Sequence, residues 1–201
     1  MRTLPGEALA RLLSALDGPG AASSDFDLNP GFQPPPGRVL RPAAVLVPVL
    51  TAGEGAVVLT KRSSRLQHHP GQVAFPGGKV DAGDASIEAA ALREAEEEIG
   101  LSPADVELRG RLPAHETVTN FLVTPVLGLI HADFAPLLQQ DEVAEVFRVP
   151  LPHLLDPEHF RVERRMWRGT WRAYYTVPWG PYYIWGATAR ILYGLARRAA
   201  G

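Results

Sequence analysis

Arg93-Glu94-Ala95-Glu96-Glu97-Glu98-Ile99-Gly100-Leu101 decides how the rest of this 201-residue chain is read. At about 100° per residue, Glu94, Glu97 and Glu98 fall within roughly one 100° arc of a helix, related by i+3 and i+4. Glu96 points to the opposite side. Leu92, Ala95 and Ile99 form a separate apolar stripe suited to packing on a sheet, and Ala90 and Ala91, one turn above, leave the acidic face accessible. Asp84 or Ser86 can cap the helix, Ala-rich turns run from Ile87 to Glu98, and Gly100 sits where a left-handed C-cap belongs. Three like charges on one face repel by about a few tenths of a kcal/mol per pair. Their place near the helix C-terminus adds the opposition of the dipole. A solvated acidic face tolerates both penalties. A hard divalent cation would remove the repulsion, since Mg²⁺ favours oxygen ligands and retains waters and substrate phosphates. The helix alone leaves both readings open.

Outward from the helix, the chain alternates between apolar runs and breakers. Upstream, Pro70, Gly71, Pro76, Gly77, Gly78 and Gly83 mark a shaped loop between Arg65 and Asp84. Before it, AAVLVPVL (Ala43 to Leu50) and AVVLTKR (Ala56 to Arg62) read as a hairpin, with Pro48 expected at a bulge or an edge. Downstream, strands are expected at Glu107 to Leu112, Phe121 to Ile130 and Val143 to Val149, and a final helix from Ile184 to Arg198. Near the N-terminus, Leu9, Leu12, Leu13 and Leu16 have helical spacing, and Gly18 to Gly37 reads as a linker or draped arm. The expected organisation is a helix and Pro/Gly-rich arm over residues 1–40 and one domain over residues 41–201. The fold class is mixed α/β, with helices packed on a sheet.

From Arg93 to Leu101 the chain resembles the Nudix hydrolases, whose signature is GX5EX7REUXEEXGU with U a bulky aliphatic residue. Every fixed position in that part matches, with Ala95 a small residue at the first U. Gly78 to Arg93 is one residue longer than the signature, and Asp84 stands where its first Glu would be counted. LTKRSSRLQHHPGQVAFPGG, Leu59 to Gly78, is similar to the block before the Nudix box in coenzyme A pyrophosphatases, as is the extended loop GGKVDAGDAS. Gln67 takes a position where that block commonly has a basic residue, for which His68 or His69 could substitute. More weakly, Asp141 to Pro150 resembles the family's strand after the box and Trp185 to Ala189 its C-terminal helix.

This resemblance implies a Nudix fold, an α/β/α sandwich with the catalytic helix on a mixed sheet. It implies hydrolysis of the diphosphate bond of coenzyme A, or its acyl and oxidised forms, to adenosine 3′,5′-bisphosphate and 4′-phosphopantetheine. Alternatives are a Nudix pyrophosphatase for ADP-ribose, dinucleotides or nucleoside triphosphates, or a non-catalytic nucleotide-sensing module. The implied ligands of Mg²⁺ or Mn²⁺ are Glu94, Glu97 and Glu98; Glu97 could instead accept the proton of attacking water, and Arg93 would orient a glutamate. Glu142, then Glu145, is the candidate base from outside the box. Arg62, Lys61, Arg65 and His69 are the candidate substrate cations, with Gly77 and Gly78 letting the backbone turn tightly against the metal site.

Composition supports an ordinary globular chain, with 46% hydrophobic and 21% charged residues. No cysteine is present, which excludes disulfides, thiolate metal sites and cysteine nucleophiles. The net charge of −2 offers no bulk field for nucleic acid or an anionic membrane. Arg161, Arg164, Arg165, Arg168 and Arg172 interleave with Trp167 and Trp171, a pattern able to stack a base. It reads rather as an exposed hairpin whose tryptophans pack on the domain or a second subunit. No charged-then-apolar leader or membrane-length apolar run is apparent. The expectation is a cytoplasmic monomer or homodimer with a small-molecule substrate and neither nucleic-acid nor membrane partners.

Overall fold

Residues 41–50, RPAAVLVPVL, carry no polar alternation after the first residue, and a strand of that kind needs cover on both faces. In the computed structural model, which describes residues 6–18, 20–32, 34, 36–66, 69–167 and 169–201, they form the middle of a sheet. In chain order the elements are α1 (Glu7–Asp17), β1 (Ser23–Ser24), β2 (Arg41–Leu50), β3 (Ala56–Arg62), β4 (Val73–Ala74), β5 (Gly77–Lys79) and α2 (Ile87–Ile99). There follow β6 (Glu107–Arg111), β7 (His115–Glu116), β8 (Phe121–Ile130), β9 (Val143–Pro150), α3 (Leu151–Leu154), β10 (Arg161–Trp167), β11 (Thr170–Thr176) and α4 (Ala187–Ala199).

The main sheet is mixed. Its order is β1-β7-β8-β2-β3-β4, with β5 on β2, β6 on β8 and β9 on β3. β2 runs parallel to β8 over its whole length, from Arg41 opposite Phe121 to Leu50 opposite Ile130. The expected β2–β3 hairpin is present, but its ladder is short, Val49 opposite Val57 and Leu50 opposite Ala56. Pro48 therefore sits inside a central strand, not at an edge. Leu46 N–H donates to the Pro76 carbonyl, and alternation turns the nitrogen of position 48 the same way. That interval lies before the β3 ladder begins, so no donor is missed there.

Alternation along β2 feeds two cores. Ala44, Leu46 and Leu50 join Val58 and Val126 against Ala91, Ala95 and Ile99 of α2. Val47 and Val49 join Leu59 and Leu127 on the other face, under Leu12 of α1, Leu151 and Leu154 of α3 and Leu192 of α4. Helices on both faces of a mixed sheet are the architecture expected from sequence. Among the described residues no helix is long and apolar enough to cross a membrane.

The N-terminal segment shares this core. Leu12 is fully buried, and Arg11 donates to the carbonyls of Leu155 at 3.1 Å and Ala199 at 3.3 Å. The arm beyond is pinned to the hairpin β10–β11, where the Asn29 amide pairs with both backbone groups of Ala173 at 2.8 and 3.0 Å. In that hairpin Trp171 is 62% exposed, whereas Arg172 is 8% exposed, its guanidinium 3.9 Å from the Phe32 ring centroid and 4.8 Å from that of Trp167. Arg168 lies outside the described residues. The last helix begins at Ala187, later than expected, because Ile184 and Trp185 pair back with β11 and Gly186 turns the chain at φ 67°.

Leu12→Ala should lower the unfolding free energy by about 2–5 kcal/mol, as for a buried core leucine. Chemical denaturation measures it; a loss well under 1 kcal/mol would show that α1 is an appendage.

Candidate active site

The carboxylate helix α2 is fixed at both ends by local chemistry. Ser86, not Asp84, is the N-cap, its Oγ accepting from Ala89 N–H at 3.1 Å. Glu88 in the first turn takes a two-pronged contact from Arg111 at 2.6 and 2.9 Å, which holds its carboxyl down at about 2. Gly100 closes the helix in the left-handed conformation, its N–H on Glu96 O at 2.9 Å. Between the caps, Ala91 and Ala95 bring the helix close against the sheet.

Burial grades across the acidic arc. Glu98 lies on the edge toward the sheet and is 5% exposed, the Glu94 side chain is 16% exposed, and Glu97 at the outer edge is 59% exposed. Glu98 Oε2 accepts from Gly77 N–H at 3.3 Å. Burial pushes its carboxyl up to about 8, with Glu94 and Glu142 adding to the rise and Arg62 opposing it. Burial also lifts Glu94, against the pull of Arg93. Both glycines at the sheet edge are required by close approach. A Cβ on Gly78 would stand 2.5 Å from the Glu94 carboxylate, and one on Gly77 would stand 2.5 Å from the Ala44 carbonyl oxygen.

Arg93 organises the outer half. Its Nε and Nη2 meet the two oxygens of Asp84 at 2.9 and 3.1 Å, and Nη2 also reaches Lys79 O at 3.2 Å. Nη1 donates to Glu94 at 3.0 Å and Glu97 at 3.1 Å. Asp84, one of the two cap candidates in the sequence, is thus the anchor of the orienting arginine. The Asp81 N–H donates to it at 2.8 Å, tightening the longer loop. Its position in the signature was the available signal.

Sequence reasoning brings some cations here and misplaces others. Arg62 shares the α2 face of β3, close enough for its charge to act on Glu98, and its Nε is buried without a hydrogen-bond partner among the described residues. Ser63 N–H donates to Glu142 O at 2.8 Å, and Arg65 pairs with Asp141 at 3.3 Å, so this loop lies beside Glu142. Lys61 is a correction: alternation puts it on the face of Val57 and Leu59, away from α2. Glu145 opposes Lys61 in register and accepts from Tyr182 OH, which stacks on Phe147 of the same far core. It too leaves the site. His69 is exposed at a left-handed turn, φ 56°; Gln67 and His68 lie outside the described residues.

The NUDIX domain family model matches residues 40–168. The chain belongs to the Nudix family. A Nudix hydrolase NudL of Citrobacter koseri, itself uncharacterized, is 45% identical over 156 residues, 78% of this chain and 81% of its own. The uncharacterized NudL of Cronobacter sakazakii is 46% identical over the same shares. A solved Nudix hydrolase of M. smegmatis is 23% identical with a TM-score of 0.47, covering 58% of this chain and 80% of that one. As a Nudix hydrolase the chain acts on a pyrophosphate substrate, and such enzymes generally use divalent metals such as Mg²⁺ or Mn²⁺.

The donor set fits such an ion. Among the described residues no three Asp, Glu or His side chains converge as a ready-made ligand set, because Glu97 is drawn outward to Arg93 and Glu98 inward to Gly77. Yet Glu94 and Glu98 are desolvated carboxylates one turn apart, both destabilised in the charged form. Hard oxygen donors in need of positive charge suit Mg²⁺ or Mn²⁺.

The folded pKa of Glu98 lies above its ordinary value, so the metal-free fold loses stability as pH rises through about 8. Glu98→Gln should abolish that loss and stabilise the metal-free protein at pH 8 by on the order of a few kcal/mol. Denaturant unfolding at pH 5 and 8 measures it; a variant no more stable than wild type at pH 8 contradicts the buried charge.

Proposed function

We propose that this Nudix hydrolase cleaves the diphosphate bond of coenzyme A, including acyl and oxidised forms, into adenosine 3′,5′-bisphosphate and 4′-phosphopantetheine. The observation that carries the reading is the path of the Leu59–Gly78 block. It starts at β3 with Arg62 near Glu98, passes Ser63 beside Glu142, and ends at the glycine pair against Glu94, so both of its ends border the carboxylate cluster. Arg62 at its start has a buried Nε with no hydrogen-bond partner among the described residues, and its charge acts on Glu98; Arg65 and His69 follow. Coenzyme A carries a 3′-phosphate besides its diphosphate, and several cations on one loop suit a ligand with two phosphate centres.

Glu94 and Glu98, with Glu97, are the residues to hold Mg²⁺ or Mn²⁺. When bound, the ion neutralises phosphate oxygens and lowers the pKa of attacking water. Arg62 donates to a phosphate oxygen and orients the diphosphate. Arg93, saturated by Asp84, Lys79, Glu94 and Glu97, positions the two glutamates and does not reach for substrate. Glu97, the most exposed of the three, or Glu142 takes the proton of the attacking water. Water oxygen joins one phosphorus, the bridging oxygen leaves on the other, and each product ends in a phosphomonoester.

Chromatography of products from coenzyme A, ADP-ribose and NADH with Mg²⁺ or Mn²⁺ should show adenosine 3′,5′-bisphosphate from coenzyme A as the favoured reaction. Brisk cleavage of ADP-ribose without that product would contradict the substrate assignment. Glu97→Gln and Glu98→Gln should each lower kcat by at least about a hundredfold; unchanged turnover in both would contradict the site. Arg62→Gln should act mainly on KM.

A further inference from the structure

Arg190, Gly194 and Arg198 recur every fourth residue and so lie along one face of α4. This face belongs to the side of the sheet opposite α2, remote from the carboxylate cluster. It borders a cavity of about 140 Å³ whose other wall includes Gly20, Ala21 and Pro113. One water needs roughly 10–15 Å³ of such space, so the cavity has room for a group of several heavy atoms.

Among the described residues, the charged residues lining it are two arginines and no acid. Arg190 Nη2 is neutralised by Asp27 at 3.0 Å. Arg198 has no ion pair among the described residues, and burial pulls its guanidinium below the ordinary range with no acidic group opposing. Among the described residues, Arg198 Nε and Nη2 and Arg190 Nε are buried without a hydrogen-bond partner. Buried donors of that kind are costly unless something accepts from them.

Gly194 is a second, independent observation. Glycine is the weakest helix former after proline, yet it stands in the middle of a 13-residue helix. Packing does not demand it: a Cβ there would meet only Arg190 Nη1, at 3.7 Å. Leaving the space between the two arginines open is what this glycine does. Gly20, by contrast, is required by contact, since a Cβ would lie 2.6 Å from Arg198 Nη1. It lets the guanidinium lie against the arm.

We propose that this cavity binds a phosphate dianion, free or as the head of a small phosphomonoester, between Arg190 and Arg198 over Gly194. A tetrahedral dianion brings two charges and more acceptor oxygens to the two guanidinium forks than a singly charged, two-oxygen carboxylate. The apolar side of Pro113 lowers the local dielectric and strengthens the contact.

The test is calorimetric titration of the full chain with orthophosphate, glycerol 3-phosphate and acetate, in EDTA so that the carboxylate cluster holds no cation. Wild type should bind phosphate saturably at one site with Kd of about 1 mM or tighter. Arg198→Gln removes the unpaired cation. Gly194→Leu fills the cavity with a better helix former, and its melting temperature without phosphate reports whether it folds. Each should weaken binding by at least about tenfold, whereas Arg197→Gln, removing the same charge from an exposed neighbour, should not. Tighter binding of glycerol 3-phosphate than of orthophosphate identifies a phosphomonoester head as the occupant, and the reverse identifies the free ion. No saturable binding, acetate binding as tightly as phosphate, or an equal loss in Arg197→Gln would overturn the proposal.

Discussion

One guanidinium sets the geometry on which the carboxylate cluster depends. Arg93 spends Nε and Nη2 on Asp84 and Nη1 on Glu94 and Glu97, so the loop before α2 and the acidic face of α2 share a single planar cation. Three glutamates within one arc repel one another, and the inner one has almost no water to dissipate its charge. Arg93 offsets that repulsion on the outer edge only. The inner edge, Glu98 and the sheet side of Glu94, is left with one long N–H contact and a displaced pKa. At the inner edge Arg62 opposes the rise only in part, so the carboxylates there still stand in need of the charge a divalent cation can bring.

The fold makes this arrangement possible by bringing backbone close to carboxylate. Alanines on the sheet side of α2 shorten the distance between helix and strands, and the glycine pair of β5 removes the Cβ atoms that would collide with Glu94 and β2. β2, covered on both faces, is the rigid reference for all of this, and its partner changes from β5 to β3 beside the site. Proline at position 48 is tolerated where the two ladders meet.

Much of α2 was legible in sequence because its determinants are local: the Ser86 cap, the Gly100 terminus and the i+3, i+4 spacing of glutamates. The grading of burial across the acidic arc was not, since it depends on which way the helix rolls onto β2. Glu145 lies in the regular part of the β3–β9 ladder and alternates with Phe147 and Val149 onto the far face; the register slip beyond it turns only Val143 toward α2. Lys61 could have been excluded by alternation with Leu59. The packing of α1 and the pinning of the arm were illegible for a simpler reason. Their partners, such as Leu155 for Arg11 and Ala173 for Asn29, lie more than a hundred residues away. Arg172, exposed by expectation and buried in fact, is held by Phe32 from that same arm.

Because Asp84 reaches the carboxylate cluster through Arg93, the two residues should behave as one unit in catalysis. Turnover of Asp84→Asn, Arg93→Gln and the double variant, with KM measured alongside, tests this most directly. Each single change should lower kcat by roughly tenfold or more with little change in KM, and the double should be no worse than the worse single. Losses that multiply in the double variant, or an Asp84→Asn enzyme with wild-type turnover, would contradict the central place given to this pair.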